Sequence, residues 1–260
     1  MHFQRMHFVP ITLLMTALCA PGCGPGSGSP ASLLSPVAAG LAGGRTLLGQ
    51  AAVNPVFDPS RFVSEVTHPY FPLVPGTITR FEGPTDKGLE STEVEVLRER
   101  KIILGVSATV VRDRVFVGNA LIEDTLDWYA QDQDGNVWYL GEDVKNYENG
   151  VLVSTSGSWE AGVQGAEAGI VMEAHPRIGD RYRQEFAAGV AEDMASVKSL
   201  DQTVSVPYGT FDDCLQTMEY TRLEPGARGY KFYAAGVGIV LEVKPRGGHE
   251  RVELISVTRP

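Results

Sequence analysis

Residues 121–143 read LIEDTLDWYAQDQDGNVWYLGED, and this stretch decides the fold. Alternating apolar and polar residues flank Asp134-Gly135 on both sides, which predicts one long β-hairpin. An Asp-Gly pair favours a two-residue hairpin turn, because both turn positions need a positive φ angle. Counting back from such a turn places Asp127 directly opposite Glu142, with both side chains on the same face of the hairpin.

The remainder of the domain repeats this pattern of strands and turns. A run of β-branched residues at 102–117 is divided by Gly105, and Asn149-Gly150 lies between two further alternating runs. Strands do not alternate with helical patterns, so a parallel sheet is not expected. The sequence therefore predicts an all-β domain, built from a single, strongly curved and mainly antiparallel sheet or a partly open barrel.

The start of this domain differs from the rest. Asp58-Pro59-Ser60 is a helix start signal, which predicts one short N-terminal helix of one or two turns. Three prolines between residues 67 and 76 are expected to prevent regular ladder pairing there. We expect the aromatic residues of this segment to plug one end of the sheet.

The N-terminal part carries targeting signals. The apolar run Phe8–Ala20 follows basic residues, is too short to span a bilayer, and is typical of a signal peptide. Cys23 follows small residues, as at a lipoprotein cleavage site, which predicts a signal peptide at 1–22 and lipidation of Cys23; ordinary cleavage nearby is the alternative. Residues 23–53 are rich in Gly, Ala, Ser and Pro and predict a flexible tether. We expect residues 54–260 to form a single β domain of a membrane-anchored lipoprotein, on the periplasmic or surface side of a bacterial envelope.

The acidic composition limits the partners. The formal net charge is -10, so the surface repels phosphate backbones and nucleic acid is not expected as a partner. A membrane is expected only through the lipid anchor at Cys23. No histidine spacing indicates zinc, and a partial calcium-loop match fails because Ala130 and Gly141 occupy the first and last ligand positions. No metal and no cofactor is expected, and Cys214 alone remains in the domain, which predicts no internal disulfide.

Four motifs resemble those of a family of bacterial secreted proteins and lipoproteins. They are HPYFPLVPG at 68–76, DWYAQDQDGNVWY at 127–139, VSVPYGTF at 204–211 and YAAGVGIV at 233–240. The resemblance covers most of residues 54–257 and implies an envelope location and a curved antiparallel sheet. It implies no particular activity and no catalytic residues.

The opposed carboxylates of Asp127 and Glu142 form the candidate site. Two carboxylates directly across a ladder repel unless something neutralises them. One interpretation is a bound cation, a shared proton or a basic ligand group, which would raise the pKa of one carboxyl and suit it for general acid catalysis. The other is a solvated outer face, or pairing with a neighbouring Arg or Lys. Asp124 lies on the opposite face of the same strand, together with Trp128.

Three functions follow from these features. The leading hypothesis is a non-enzymatic lipoprotein that binds an apolar or amphiphilic ligand, or a partner, in the concave face of the curved sheet. The alternative is a carboxylate-dependent, hydrolase-like enzyme of the cell envelope using Asp127, Glu142 or Asp124 with Arg183 or His68. A structural or adhesive surface module is the third. The candidate ligand-binding residues are Trp128, Tyr129, Trp138, Tyr139 and Arg183.

Overall fold

The structure, a computed structural model, describes residues 7–8, 13–14, 56–85, 88–244 and 250–260. Almost all of the predicted signal peptide, together with Cys23 and the predicted tether, lies outside the described residues. Among the described residues, all strands of the main sheet and both hydrophobic clusters come from positions after 56, so this part has its own sheet and core.

Strands account for nearly all regular structure in the described residues, which confirms the predicted all-β class. In chain order they are β1 His7–Phe8, β2 Leu13–Leu14, β3 Val66–His68, β4 Phe71–Leu73, β5 Ile78–Thr85, β6 Gly88–Ile103, β7 Val106–Val117, β8 Ala120–Gln131, β9 Val137–Glu148, β10 Val151–Ser154, β11 Trp159–Glu160, β12 Glu167–Met172, β13 Arg181–Arg183, β14 Glu185–Phe186, β15 Asp193–Val206, β16 Gly209–Thr221, β17 Gly229–Ala234, β18 Gly238–Lys244 and β19 Glu250–Thr258.

The main sheet curves until its two edges almost meet. Its strands follow the order β13-β15-β16-β17-β18-β19-β5-β6-β7-β8-β9-β12-β14, and every pairing is antiparallel. The edge strands β13 and β14 are consecutive in the chain. Between them, the Gln184 amide donates a 2.8 Å hydrogen bond to the Asp193 carbonyl. The result is a barrel that is nearly closed, as the strand pattern predicts.

The hairpin of β8 and β9 confirms the central pairing of Asp127 with Glu142. Its tip is longer than predicted, because Asp132 pairs with Asn136 and leaves three residues in the loop. This shifts the register near the tip, so Tyr129 pairs with Tyr139. A β-bulge at the next step of the ladder restores the predicted register below it.

Two other predicted turns are also confirmed. Asn149 and Gly150 join β9 to β10 with φ angles of 52° and 76°. Leu104 and Gly105 join β6 to β7 with φ angles of 49° and 83°. Paired positive φ angles are what tight hairpin connections require.

The predicted N-terminal helix is wrong in its extent. Only the three residues Pro59–Arg61 form a 3-10 turn, and Asp58 caps it by accepting from the Ser60 amide at 2.9 Å. The expectation about the prolines is also wrong, because β3 and β4 form a short ladder that contains Pro72. Proline is tolerated in this pair because a two-stranded ladder leaves one side of each strand unpaired. The hairpin packs Phe71 against Tyr129, with ring centroids 5.2 Å apart.

Candidate functional site

The barrel interior holds many ionisable side chains, which the sequence patterns did not reveal. On β8 the inward face carries Glu123, Thr125, Asp127 and Tyr129, all at most 1% exposed. Neighbouring strands add further buried carboxyls and two buried lysines. The buried ionisable residues in this interior are Glu90, Asp113, Glu123, Asp127, Glu142, Glu185, Asp193, Glu219, Lys231, Glu242 and Lys244.

Asp127 and Glu142 lie within this interior and not on a solvated face. The Tyr139 hydroxyl donates a 2.6 Å hydrogen bond to Asp127 Oδ1, and the Tyr129 and Tyr139 rings stack with centroids 4.9 Å apart. Burial raises the pKa of Asp127 to about 7, although the tyrosine hydrogen bonds work in the opposite direction. Burial, with the neighbouring Glu185 and Asp127 carboxyls, raises the pKa of Glu142 well above its ordinary value. The interpretation as a solvated outer face is therefore wrong.

Lys231 supplies positive charge to the same interior. Its ammonium lies 2.7 Å from Glu219 Oε2, and both side chains are buried. Burial works to lower the pKa of Lys231, but the charges of Glu219 and Glu242 outweigh it and raise that pKa. Glu242 is buried as well, and its burial raises its pKa to about 8. The interior thus combines a buried ion pair with several carboxyls whose pKa burial raises.

The predicted catalytic set is divided among separate places. Asp127 and Glu142 are 0% and 1% exposed, so neither carboxyl touches solvent in this conformation. Asp124 faces outward and accepts two hydrogen bonds from Arg112, at 2.8 and 2.7 Å. The structure therefore brings Asp127 and Glu142 together but leaves Asp124 on the opposite side of the sheet.

The two predicted helpers of catalysis also lie elsewhere. Arg183 forms an ion pair with Glu167 at the barrel edge and lies 5.1 Å from the centroid of the Phe186 ring. His68 is buried in the β3–β4 hairpin, where its Nδ1 accepts from the Tyr70 amide at 3.1 Å. Burial lowers the pKa of His68, which favours the neutral imidazole.

Of the predicted ligand-binding aromatics, Trp128 alone lines a groove. Tyr129 and Tyr139 are enclosed in the interior. Trp138 packs at the hairpin tip, where its indole nitrogen donates to Asp132 Oδ2 at 2.8 Å and the Phe57 ring lies 5.3 Å away.

The expectation of a binding surface on the concave face is wrong at Trp128, because the inward face of β8 is enclosed. The groove over Trp128 lies on the outer face of the sheet and has a volume of about 800 Å³. Trp128 and Leu126 face it because they alternate along β8 with the inward-facing Asp127. Apolar residues form its floor and charged residues its rim. The lining residues are Leu97, Glu99, Lys101, Val110, Arg112, Asp124, Leu126, Trp128, Glu142, Asp143, Lys145, Ser158, Trp159 and Glu160.

Gly141 allows the groove wall to form. It pairs with Trp128 across the hairpin and has a φ angle of 134°. A Cβ atom there would lie 2.3 Å from the Trp159 carbonyl oxygen and 3.1 Å from Trp128 Cε3. Glycine thus lets β11 lie directly against the hairpin, so that Glu160 reaches the rim.

Lys101 crosses the groove. Its ammonium nitrogen lies 3.2 Å from the centroid of the Trp128 ring and 2.7 Å from Glu160 Oε2. Trp128 is consequently only 5% exposed, although it lies on the outer face. Two further ion pairs stand along the rim, Arg112 with Asp124 and Lys145 with Asp143.

No protein-family model matches the sequence. No curated protein matches it either. A solved structure from Parabacteroides distasonis ATCC 8503, described as that of a candidate lipoprotein, is similar at 14% sequence identity and a TM-score of 0.38. That match covers 73% of this chain and 98% of the other.

Two kinds of feature are absent from the described residues. These residues contain no group of three or more His, Cys, Asp or Glu side chains arranged to hold a metal ion. They also contain no helix with the length and apolar character needed to cross a membrane. Cys214 is buried, with its Sγ 3.6 Å from the Phe211 carbonyl oxygen, and burial raises the pKa of its thiol.

Sequence reasoning missed Lys101 and Glu160, which face each other across the groove. Glu160 belongs to a stretch rich in glycine that the sequence shows only as a loop. The one local signal was the outward alternation of Leu97, Glu99 and Lys101 along β6. That alternation gives the face of each residue but not the strand that folds over it.

Proposed function

We propose that this chain is an exported lipoprotein that binds a small amphiphilic molecule in the groove over Trp128. The observation that carries the proposal is the groove itself, a space of about 800 Å³ with an apolar floor and a charged rim. Pockets of roughly 300 to 1,000 Å³ are typical of small-molecule sites, in which apolar walls supply affinity and a few polar groups fix orientation.

The groove suits binding better than hydrolysis. Its floor is made by Leu97, Val110, Leu126 and Trp128, which can cover an apolar body. The rim carboxylates of Asp124, Asp143 and Glu160 are each engaged in an ion pair. Of the opposed carboxyls that would serve the enzyme alternative, Asp127 is enclosed on the other side of the sheet, and Glu142 borders the groove but is only 1% exposed.

The export part of the proposal is supported by the N-terminal sequence. An apolar run of signal-peptide length precedes Cys23, and a Gly/Ala/Ser/Pro-rich tether follows it. The resemblance of four motifs to those of secreted proteins and lipoproteins supports the same proposal. In this arrangement a lipid on Cys23 anchors the chain, and the tether holds the barrel on the periplasmic or outer side of the envelope.

Ligand binding can be tested with residues 54–260 produced in a bacterial host. We expect native mass spectrometry to detect a co-purified amphiphile, or a one-to-one complex after incubation with a short-chain alkyl glycoside. Leu126→Glu places a charge on the groove floor and should abolish the complex. Ile122→Glu is the matched control, since Ile122 has the same outward orientation on β8 but lies outside the groove. Complexes that survive Leu126→Glu would show that binding occurs elsewhere.

Lipidation can be tested separately in the full chain. Metabolic labelling with an alkyne fatty acid should mark the wild-type protein and leave Cys23→Ser unlabelled. Equal labelling of both would disprove anchoring at Cys23.

A further inference from the structure

The ammonium group of Lys101 occupies a position in the groove that suits a cation. Resting on the proposed function, we propose that the bound amphiphile carries a positively charged nitrogen, which replaces the Lys101 ammonium over the Trp128 ring. The groove thus selects alkylammonium head groups over neutral or anionic ones. Lys101 covers this cation subsite when no ligand is present.

The geometry at Trp128 is that of a cation-binding aromatic site. The Lys101 nitrogen lies 3.2 Å from the ring centroid, well inside the limit of about 6 Å for cation–π attraction, and tryptophan is the strongest aromatic partner for a cation. Glu160 Oε2 approaches the same nitrogen to 2.7 Å. A ligand ammonium at this point would therefore meet an aromatic face on one side and a carboxylate on the other.

The charge around the subsite also favours a cation. Besides the enclosed Glu142, the carboxylates that line the groove are Glu99, Asp124, Asp143 and Glu160. The cations are Lys101, Arg112 and Lys145. When Lys101 leaves, the remaining charges are negative in balance, so the groove attracts a positive head group and repels an anionic one.

Lys101 is able to leave. Its side chain is 36% exposed, and the Glu160 side chain that holds it is 33% exposed. Ion pairs exposed to this degree contribute little to stability, and the flexible lysine stem can swing into solvent. Trp128 remains in place, because it pairs with Gly141 across the hairpin and its ring lies so close to that glycine that a Cβ there would be 3.1 Å from Cε3.

An apolar tail can extend from the subsite along the groove floor. Leu97, Val110 and Leu126 line the groove beside Trp128, and their strands β6, β7 and β8 are neighbours in the sheet. The ligand class is therefore an amphiphile with an ammonium head and an alkyl or similarly apolar body.

Isothermal titration calorimetry measures the affinity of residues 54–260 for three probes that share a decyl chain. The probes are decyltrimethylammonium chloride, decyl glucoside and sodium decyl phosphate, each below its critical micelle concentration. We expect the ammonium probe to bind about tenfold more tightly than the glucoside, and the phosphate to bind most weakly. Equal affinity for all three would overturn the cation subsite and leave the proposed function standing. No binding by any probe would overturn both.

Two lysine variants test the displacement. Lys101→Gln uncovers Trp128 and should tighten ammonium binding several-fold, with little effect on the glucoside. Lys145→Gln is the matched control. It removes the same charge from the rim, but the Lys145 side chain does not cover the Trp128 ring. If both variants change ammonium affinity equally, bulk charge explains the effect and Lys101 does not cover the subsite. Glu160→Gln should weaken ammonium binding about tenfold.

Discussion

Replacing Glu242 with glutamine is expected to stabilise the barrel at alkaline pH and to have little effect at pH 5. Glu242 is 2% exposed, and burial raises its pKa from 4.5 to about 8 in the folded protein, although Lys231 opposes this. Glutamine has the same shape and carries no charge at any pH. The variant therefore removes a single ionisation from the interior without removing volume.

The sign of the effect follows from proton uptake. Below pH 4.5 the carboxyl is protonated in both the folded and the unfolded chain, so ionisation does not affect stability. Between pH 4.5 and about 8 the unfolded chain releases the proton while the folded barrel retains it. The free energy of unfolding therefore falls as pH rises through this window and levels off above it.

The size of the effect can be worked from the same shift. Each pH unit in this window costs about 1.4 kcal/mol, so full ionisation costs at most about 5 kcal/mol. The attraction of the Lys231 ammonium is already contained in the pKa of about 8, so it is not subtracted a second time. We expect Glu242→Gln to exceed wild type by about 3 to 5 kcal/mol at pH 9 and to match it within about 1 kcal/mol at pH 5.

Urea denaturation at five pH values between 5 and 9 measures this difference. Glu93→Gln is a control of opposite sign. Partial burial works to raise the pKa of Glu93, but Arg80 and Arg114 outweigh burial and lower it. That variant should lose stability above pH 5. A Glu242→Gln protein with the same pH dependence as wild type would refute the reasoning, because Glu242 would then ionise as freely in the barrel as in the unfolded chain.

Three further substitutions probe packing, the hairpin tip and the buried ion pair. Gly141→Ala should lower stability by about 2 to 3 kcal/mol in urea denaturation, because a Cβ would lie 2.3 Å from the Trp159 carbonyl oxygen; an unchanged midpoint would show that β11 moves freely. Asp132→Ala removes the acceptor of three hydrogen bonds at the tip and should lower the free energy of unfolding by about 2 to 4 kcal/mol. An unchanged free energy would show that solvent replaces these bonds. Lys231→Met leaves the Glu219 charge buried and should cost about 3 to 5 kcal/mol at pH 7; adding Glu219→Leu should recover most of it, and failure to do so would exclude stranded charge as the cause.

The strand limits could be predicted from the sequence because the turns between strands need particular residue types. Asn149-Gly150 and Gly105 mark turns that need positive φ angles, and few residue types supply these. The central hairpin was predicted with the wrong turn and yet with the right partner for Asp127. The additional residue at the tip and the bulge near Leu140 shift the register in opposite directions, so their effects cancel below the bulge.

The direction that each face points could not be read from the sequence. Alternation separates Asp127 from Trp128, but it does not say which of the two faces inward. A face with carboxylates normally points to solvent, so the more ordinary interpretation was the wrong one here. Only the closure of the whole sheet, which depends on contacts between residues far apart in sequence, encloses these acids.

The groove depends on still longer-range information. Trp128 was identified as a candidate because it is a large aromatic residue in an acidic hairpin. The ring is covered by Lys101, which comes from β6, on one side of that hairpin. Glu160 holds Lys101 in place and comes from β11, on the other side. β11 has only two residues and no sequence pattern of its own. No local rule could place it.

The place where the two barrel edges meet has a consequence for the enclosed acids. Three residue pairs join β13 to β15 and two join β14 to β12, whereas ten pairs join β15 to β16. Thermal fluctuation should break the strand pairing first at these short ladders, which lie beside Tyr182 and Glu185. Protons and water would then reach the acids through brief openings between these strands. The rate of hydrogen exchange in the interior would therefore report how often the two edges of the barrel separate.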